Sequence, residues 1–234
     1  MKQFLERYLN EMGLACSDIQ MEQFDAYHRL LAEWNGKMNL TAIRDPQEVA
    51  LKHFADCLFG LRVLPEGAHV IDVGSGAGFP GVPLKIMRPD LHLLLLDSLN
   101  KRVLFLNELI GTLGLTGIKT LHSRAEDGAK KELREQFDVA TARAVAHLSV
   151  LSEYCLPYVK TGGIFLAYKG SSGFDEMEEA ASAVRILGGN LEKKTEYLLP
   201  SSDIRHTLAV IRKTKPTPAK YPRNSGQIAK SPLK

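Results

Sequence analysis

The stretch Asp72-Val-Gly-Ser-Gly-Ala-Gly-Phe-Pro-Gly81 constrains this chain more than any other. It follows His69-Val-Ile-Asp-Val73, a short apolar run that reads as a buried parallel strand. It precedes Val82-Pro-Leu-Lys-Ile-Met-Arg88, which can open a helix with Pro83 in its first turn. Gly74, Gly76 and Gly78 therefore sit in a strand-to-helix turn. Residues without a Cβ let the backbone turn sharply and let a ligand come close. The helix that follows aims its free N–H groups and the positive end of its dipole at that ligand. The turn reads as a cradle for a nucleotide-type cofactor.

Around it, strands and helices alternate. Strands are expected at Leu91–Leu96, Ile118–His122, Phe137–Ala142 and Gly162–Gly170, and then near Leu191–Leu198 and His206–Arg212. Helices are expected after a Ser98 cap, as a short charged segment over 127–135, through Leu148, Leu151 and Leu156, and over Phe174–Leu187. The pattern is α/β: a mostly parallel, Rossmann-like, seven-stranded sheet whose last strand runs antiparallel in an edge hairpin. Ahead of it, residues 1–64 read as a helical extension packed on the 65–213 domain. Ser17 can cap a helix with Phe24, Tyr27 and Leu31 on its apolar stripe, and Asp45-Pro46 marks a third helix start. Residues 214–234 form a basic tail that Pro216, Pro218, Pro222 and Pro232 should keep extended.

Charge is uneven along the chain. Net charge is +3, but no acidic residue follows Asp203, and seven basic residues run from Arg212 to Lys234. The body is thus mildly acidic and the tail strongly basic, which suggests a polyanionic partner or simply a solvated end. No run approaches the ~20 apolar residues needed to span a bilayer, and no membrane association is expected. The N-terminus lacks a signal-peptide core. Cys16, Cys57 and Cys155 are odd in number and lack metal spacing. They read as reduced thiols in a cytoplasmic protein that needs no metal.

Two cofactors compete. Gly76-Ala-Gly78-Phe-Pro-Gly81 fits G-x-G-x-x-G, and Asp97 lies where a dinucleotide ribose would bind, as in an NAD-type oxidoreductase. However, Pro80 removes an N–H where a pyrophosphate needs one. S-adenosylmethionine accounts for more: Asp72 inside the strand, Asp97 ending the second strand, and Ala125-Glu126 ending the third beside a presumptive adenine. A non-catalytic RNA-binding protein on the same fold is the remaining alternative.

These motifs, with Asp97-Ser-Leu-Asn-Lys-Arg102, Arg124-Ala-Glu126, Thr141-Ala-Arg-Ala-Val-Ala146, Lys220-Tyr-Pro-Arg223, Met38-Asn-Leu-Thr41 and His53-Phe-Ala-Asp56, resemble the bacterial 16S ribosomal RNA guanine-N7 methyltransferase family. Cys57 departs from the family, where serine is expected. The resemblance implies a class I methyltransferase fold, with methyl transfer from S-adenosylmethionine to N7 of the guanine at position 527 of 16S rRNA. The rRNA or the small ribosomal subunit would be its partner and the protein would be a monomer. Carried over, the cofactor contacts fall on Gly74, Phe79, Ala125, Glu126 and Arg143. Gly76, Gly78 and Asp97 complete the expected cofactor site.

Guanine N7 has a free lone pair, so no general base is required, and alignment with desolvation can supply the rate. No residue is therefore assigned as a certain catalyst; Asn39, Arg143 and Lys169 are candidates for positioning the guanine. Arg44, His53, Lys220 and Arg223 are candidates for RNA contact. Each has a structural alternative. Asp97 could cap the next helix, Glu126 could sit in a first turn, and Arg143 could form an internal ion pair. His53 could be a buried, satisfied histidine, Lys169 a solvated surface lysine and Asn39 an ordinary turn residue.

Overall fold

The computed structural model describes residues 1–130, 132–143 and 146–234. Among the described residues, seven strands form one sheet: β1 (His69–Val73), β2 (His92–Asp97), β3 (Ile118–His122), β4 (Phe137–Arg143), β5 (Val159–Lys169), β6 (Gly189–Leu198) and β7 (Arg205–Lys213), in the order β3-β2-β1-β4-β5-β7-β6. The first five pair in parallel. The last strand, β7, lies antiparallel between β5 and β6, so the expected edge hairpin is present. Strand order reverses between β1 and β4, which places the glycine turn and the end of β4 at the switch point where such sheets bind ligands.

Alternation along the strands assigns each residue to one of two cores. Val70, Leu93, Leu95, Val139, Ile164, Leu166, Leu208 and Val210 face the N-terminal helices and the helices Gly81–Met87 and Asn100–Thr112. Ile71, Val73, Leu96, Ala140, Phe165, Ala167, Ala209 and Ile211 face the helices Leu148–Cys155, Gly173–Glu179 and Ala181–Ile186. Both faces are covered, as a parallel sheet requires. The helices Lys2–Glu11 and Asp18–Lys37 carry Leu5, Tyr8, Phe24 and Tyr27 into the same core as the sheet. Ser17 and Gln20 form a reciprocal capping box at the start of the second. Asp45 caps the third helical run, which continues to residue 63 but passes through a π-helical segment at Val49–Ala55.

Several local expectations change. Ser98 does not cap the Asn100–Thr112 helix: Leu99 is its N-cap, no side chain caps it, and Asp97 accepts from the Leu99 N–H. The charged helix expected over 127–135 is instead Ala125–Gly128 followed by turns. Lys131 of that stretch, like Ala144 and Val145 of the motif after β4, lies outside the described residues. Gly162-Gly163 does not open β5 but lies within it, at a bulge between the Phe137 and Val139 pairings. The helix expected over Phe174–Leu187 divides into Gly173–Glu179 and Ala181–Ile186. The tail is not extended along its length. Tyr221 and Ile228 are buried, residues Ser225–Lys230 form a helix, and Arg134 donates to the carbonyls of Thr217 and Tyr221. Prolines set its turns, but apolar and ionic anchors hold it to the body.

Candidate active site

The glycine turn is held from three sides. Below it, the N–H groups of Gly74 and Ser75 donate to the Leu96 carbonyl at the end of β2. Asp72 Oδ2 accepts from Gly81 N–H at 2.9 Å, tying the two ends of the turn together. Asp72 is fully buried, and burial pushes its carboxyl up to about 7 despite that hydrogen bond. From the side, Asp97 Oδ2 accepts from Gly76 N–H and Oδ1 from Leu99 N–H, both at 2.9 Å, with Arg102 at 3.4 Å. Asp97 is not the cap of the following helix, whose N-cap is Leu99; it holds the Leu99 N–H just ahead of that helix and supports the cradle. From above, the Tyr27 hydroxyl donates to the Ala77 carbonyl. This N-terminal contact had no signal in the sequence beyond an apolar stripe.

The cradle has the shape a cofactor needs. Gly76 has φ +59°, and the nearest atom to a Cβ built there would be the Gly74 carbonyl oxygen at 3.9 Å, so its open side faces space. Gly78, at φ +94°, is different: a Cβ there would stand 2.7 Å from the Tyr27 hydroxyl. β3 stops at His122, so Ala125 and Glu126 do not end the strand but open the short helix that follows it, with Glu126 in the first turn, and the Tyr158 hydroxyl donates to the Ala125 carbonyl at 2.6 Å. Glu126 is 5% exposed, and among the described residues its carboxylate has no hydrogen-bond partner, although its oxygens are not fully enclosed. A carboxylate with unused acceptors reaching open space near the glycine turn fits a ligand that presents N–H and O–H groups, as an adenosyl moiety does.

Phe79 joins this cradle to a second feature. Its ring stacks between Tyr27 (centroids 5.3 Å apart) and His53 (4.5 Å), and the Arg143 guanidinium lies 4.9 Å from its centroid. Arg143 comes from the end of β4, His53 from the π-helical segment. Arg143 donates to Asp56 Oδ2 (2.9 Å), to the Lys52 carbonyl (2.8 Å) and to His53 Nδ1 (3.0 Å). Arginine has no acceptor, so His53 Nδ1 must be the bare nitrogen and its Nε2–H donates to Thr41 Oγ1 at 2.8 Å. Burial, then the Arg143 charge, lower the His53 pKa to about 3. Asp56 also accepts from Tyr197 and His206, both at 2.8 Å. Burial would raise its pKa, but the His206 hydrogen bond and the Arg143 charge outweigh that and hold it low. The internal ion pair anticipated for Arg143 is therefore real, and His53 is the buried, satisfied histidine.

Beside this network opens a cavity of about 560 Å3, lined by His53, Asp56, Arg143, Lys169, Glu176 and His206 among others. Arg143 pairs in register with Tyr168, so Lys169 emerges one residue further along β5. Its side chain is 8% exposed and its ammonium is bound to Glu176 Oε2 (2.6 Å) and the Ala146 carbonyl (2.7 Å). Lys169 is therefore not a solvated surface lysine. Asn39 and Arg44 are exposed on the loop before the third helical run. Asn35 shapes that loop by accepting from the N–H groups of Leu40 and Thr41. Trp34, partly buried, packs edge-on against Phe105.

The tail candidates divide. Lys220 is exposed, with its ammonium over the Tyr221 ring. Arg223 is not free for phosphate: it binds the buried Glu153 carboxylate through Nε and Nη2 (2.6 Å for the latter). Sequence reasoning missed Asp56, Tyr197, His206 and Glu176. Of these, only Asp56 carried a cue, its i, i+3 spacing from His53.

Comparison with known proteins places the chain. A family model described as GidB, rRNA small subunit methyltransferase G, matches residues 20–203. Ribosomal RNA small subunit methyltransferase G of Clostridium perfringens is 49% identical over 238 residues, covering 97% of this chain and 100% of that protein. The protein of the same name from Acetivibrio thermocellus is 51% identical over 223 residues, covering 94% of this chain and 92% of its own. Among solved structures, M. jannaschii TYW2 in complex with AdoMet is similar in fold, with a TM-score of 0.56 at 14% identity over 74% of this chain and 79% of that one.

Proposed function

The chain belongs to the rRNA small subunit methyltransferase G family, and from that membership we propose that it methylates N7 of a guanine in 16S rRNA, the base at position 527 that the sequence resemblance implies. The dinucleotide and non-catalytic alternatives fall away with that membership. S-adenosylmethionine, when bound, supplies an electrophilic methyl group. The Gly74–Gly78 backbone would seat its methionine part, Glu126 and Ala125 would border its adenine, and the acceptor capacity left on Asp97 would take ribose hydroxyls. Work in the cytoplasm, as a monomer, on the rRNA or the small subunit follows from the same reading.

The observation that carries the proposal is the shared wall. His53 and Arg143 line the cavity and also pack on Phe79 of the glycine turn. A base in the cavity would therefore lie beside the cofactor loop, at the carboxyl ends of β4 and β5. The chain's own contribution is positional. Arg143 is locked by three acceptors, His53 stays neutral, and the aromatic stack keeps water from one side, so little reorganisation is left for the reacting pair. Nothing here has to remove a proton, because guanine N7 has none.

The test is transfer of labelled methyl from S-adenosylmethionine to small subunits from cells lacking this protein, with the modified base mapped by chemical cleavage at N7-methylguanine. One site in the 16S rRNA is expected. Label on a different base, or on protein, would sink the assignment.

A further inference from the structure

We propose that Glu176, with Lys169 beside it, reads the Watson–Crick edge of the target base and makes the transfer specific for guanine; this rests on the cavity being the base pocket. Glu176 stands on the Gly173–Glu179 helix and lines the cavity. Its Oε2 is taken by Lys169 (2.6 Å) and Leu148 N–H (3.0 Å). Among the described residues its Oε1 has only Ser172 at 3.4 Å, long for an O–H···O bond. Acceptor capacity therefore remains on a side chain that is 18% exposed. The Lys169 ammonium has three N–H groups and, among the described residues, two partners, so one donor remains. The cavity's other carboxylate, Asp56, is only 2% exposed and is engaged on both oxygens by Arg143, Tyr197 and His206, so Glu176 is the one that presents an oxygen to the cavity.

The pair thus presents a donor and an acceptor side by side. Guanine offers the complement: O6 accepts from Lys169, while N1–H and the exocyclic amine donate to Glu176. Adenine inverts both, meeting the ammonium with an amine and the carboxylate with a lone pair. Uracil shares the first two features of guanine but has no N7. Reading this edge leaves N7 uncovered, and it requires the base to be unpaired, as is usual for sequence-specific RNA recognition.

Small subunits reconstituted with guanine or inosine at the target position separate the possibilities, because inosine lacks only the exocyclic amine. The full-length wild type should prefer guanine over inosine by about tenfold. Glu176→Gln should lose about ten- to hundredfold in kcat/KM on guanine. Its guanine-to-inosine ratio should approach one, and its affinity for S-adenosylmethionine should be unchanged. Lys169→Met should slow both substrates equally, since both carry O6. If the Gln variant does not fold, Glu176→Asp, which keeps the charge but draws it back, should show the same fall in ratio. A wild-type ratio in the Glu176 variants would overturn the assignment, reducing Glu176 to a support for Lys169. Failure of the wild type to methylate either substrate would instead overturn the proposed activity on which this inference rests.

Discussion

Single residues in the glycine turn have separable jobs that one motif letter conceals. Both Gly76 and Gly78 hold positive φ, but only Gly78 lies against side chains of other elements. Gly78→Ala should cost about 2–4 kcal/mol of stability, combining backbone strain with a forced shift of Tyr27. Gly76→Ala should cost about 1–2 kcal/mol from strain alone and lose S-adenosylmethionine affinity out of proportion. Urea unfolding and calorimetry on the two variants test this, and equal losses in both assays would refute it. Two titrations pull stability in opposite directions. His53 has a folded pKa of about 3 against an ordinary 6.5, so the unfolded chain takes the proton first. Its contribution is complete above pH 6.5 and is lost as pH falls toward 3. Asp72, raised from 3.8 to about 7, does the reverse: the folded carboxyl holds a proton the unfolded one has released, so stability falls as pH rises through that window. Unfolding curves from pH 4 to 8 should therefore lose acid sensitivity in His53→Gln and gain it in Asp72→Asn.

At the scale of elements, the helical run 46–63 ties the N-terminal helices to the sheet ends. Its π-helical segment turns Lys52, His53 and Asp56 toward Arg143, an insertion of the kind that clusters at functional sites. The start of this run was legible in Asp45-Pro46, because a cap acts through its own neighbours. The π segment was not, because apolar periodicity over seven residues does not separate 3.6 from 4.4 residues per turn. Asp56→Asn should cost about 3 kcal/mol, since it leaves the Arg143 charge buried without its partner. Tyr197→Phe, which removes one neutral donor from the same carboxylate, should cost about 1 kcal/mol. Similar denaturation midpoints for the two variants would show that the ion pair does not hold this element.

For the whole molecule, the basic tail is part of the fold before it is part of any RNA interface. Arg212, Lys213 and Arg223 pair with Glu192, Glu135 and Glu153. Lys215, Lys220, Lys230 and Lys234 stay exposed. Removing residues 214–234 should destabilise the protein by about 3–5 kcal/mol, chiefly by orphaning buried Glu153, and Glu153→Gln should recover part of that loss. Replacing the four exposed lysines with serine should instead leave the unfolding midpoint in place. It should also lower the salt slope of RNA binding by up to about three, and an unchanged slope would take the tail out of RNA recognition. The sequence by itself determined the glycine turn, the alternating strands with their two buried faces, the edge hairpin and the family, because each rests on spacing within a few residues or on motif order. Only the tertiary structure decided which charged residues are free to meet a ligand. Asp56 meets Arg143 across 87 residues and His206 across 150. A charge's role is set by burial and by the partner that reaches it through space, and neither is written in its neighbours along the chain.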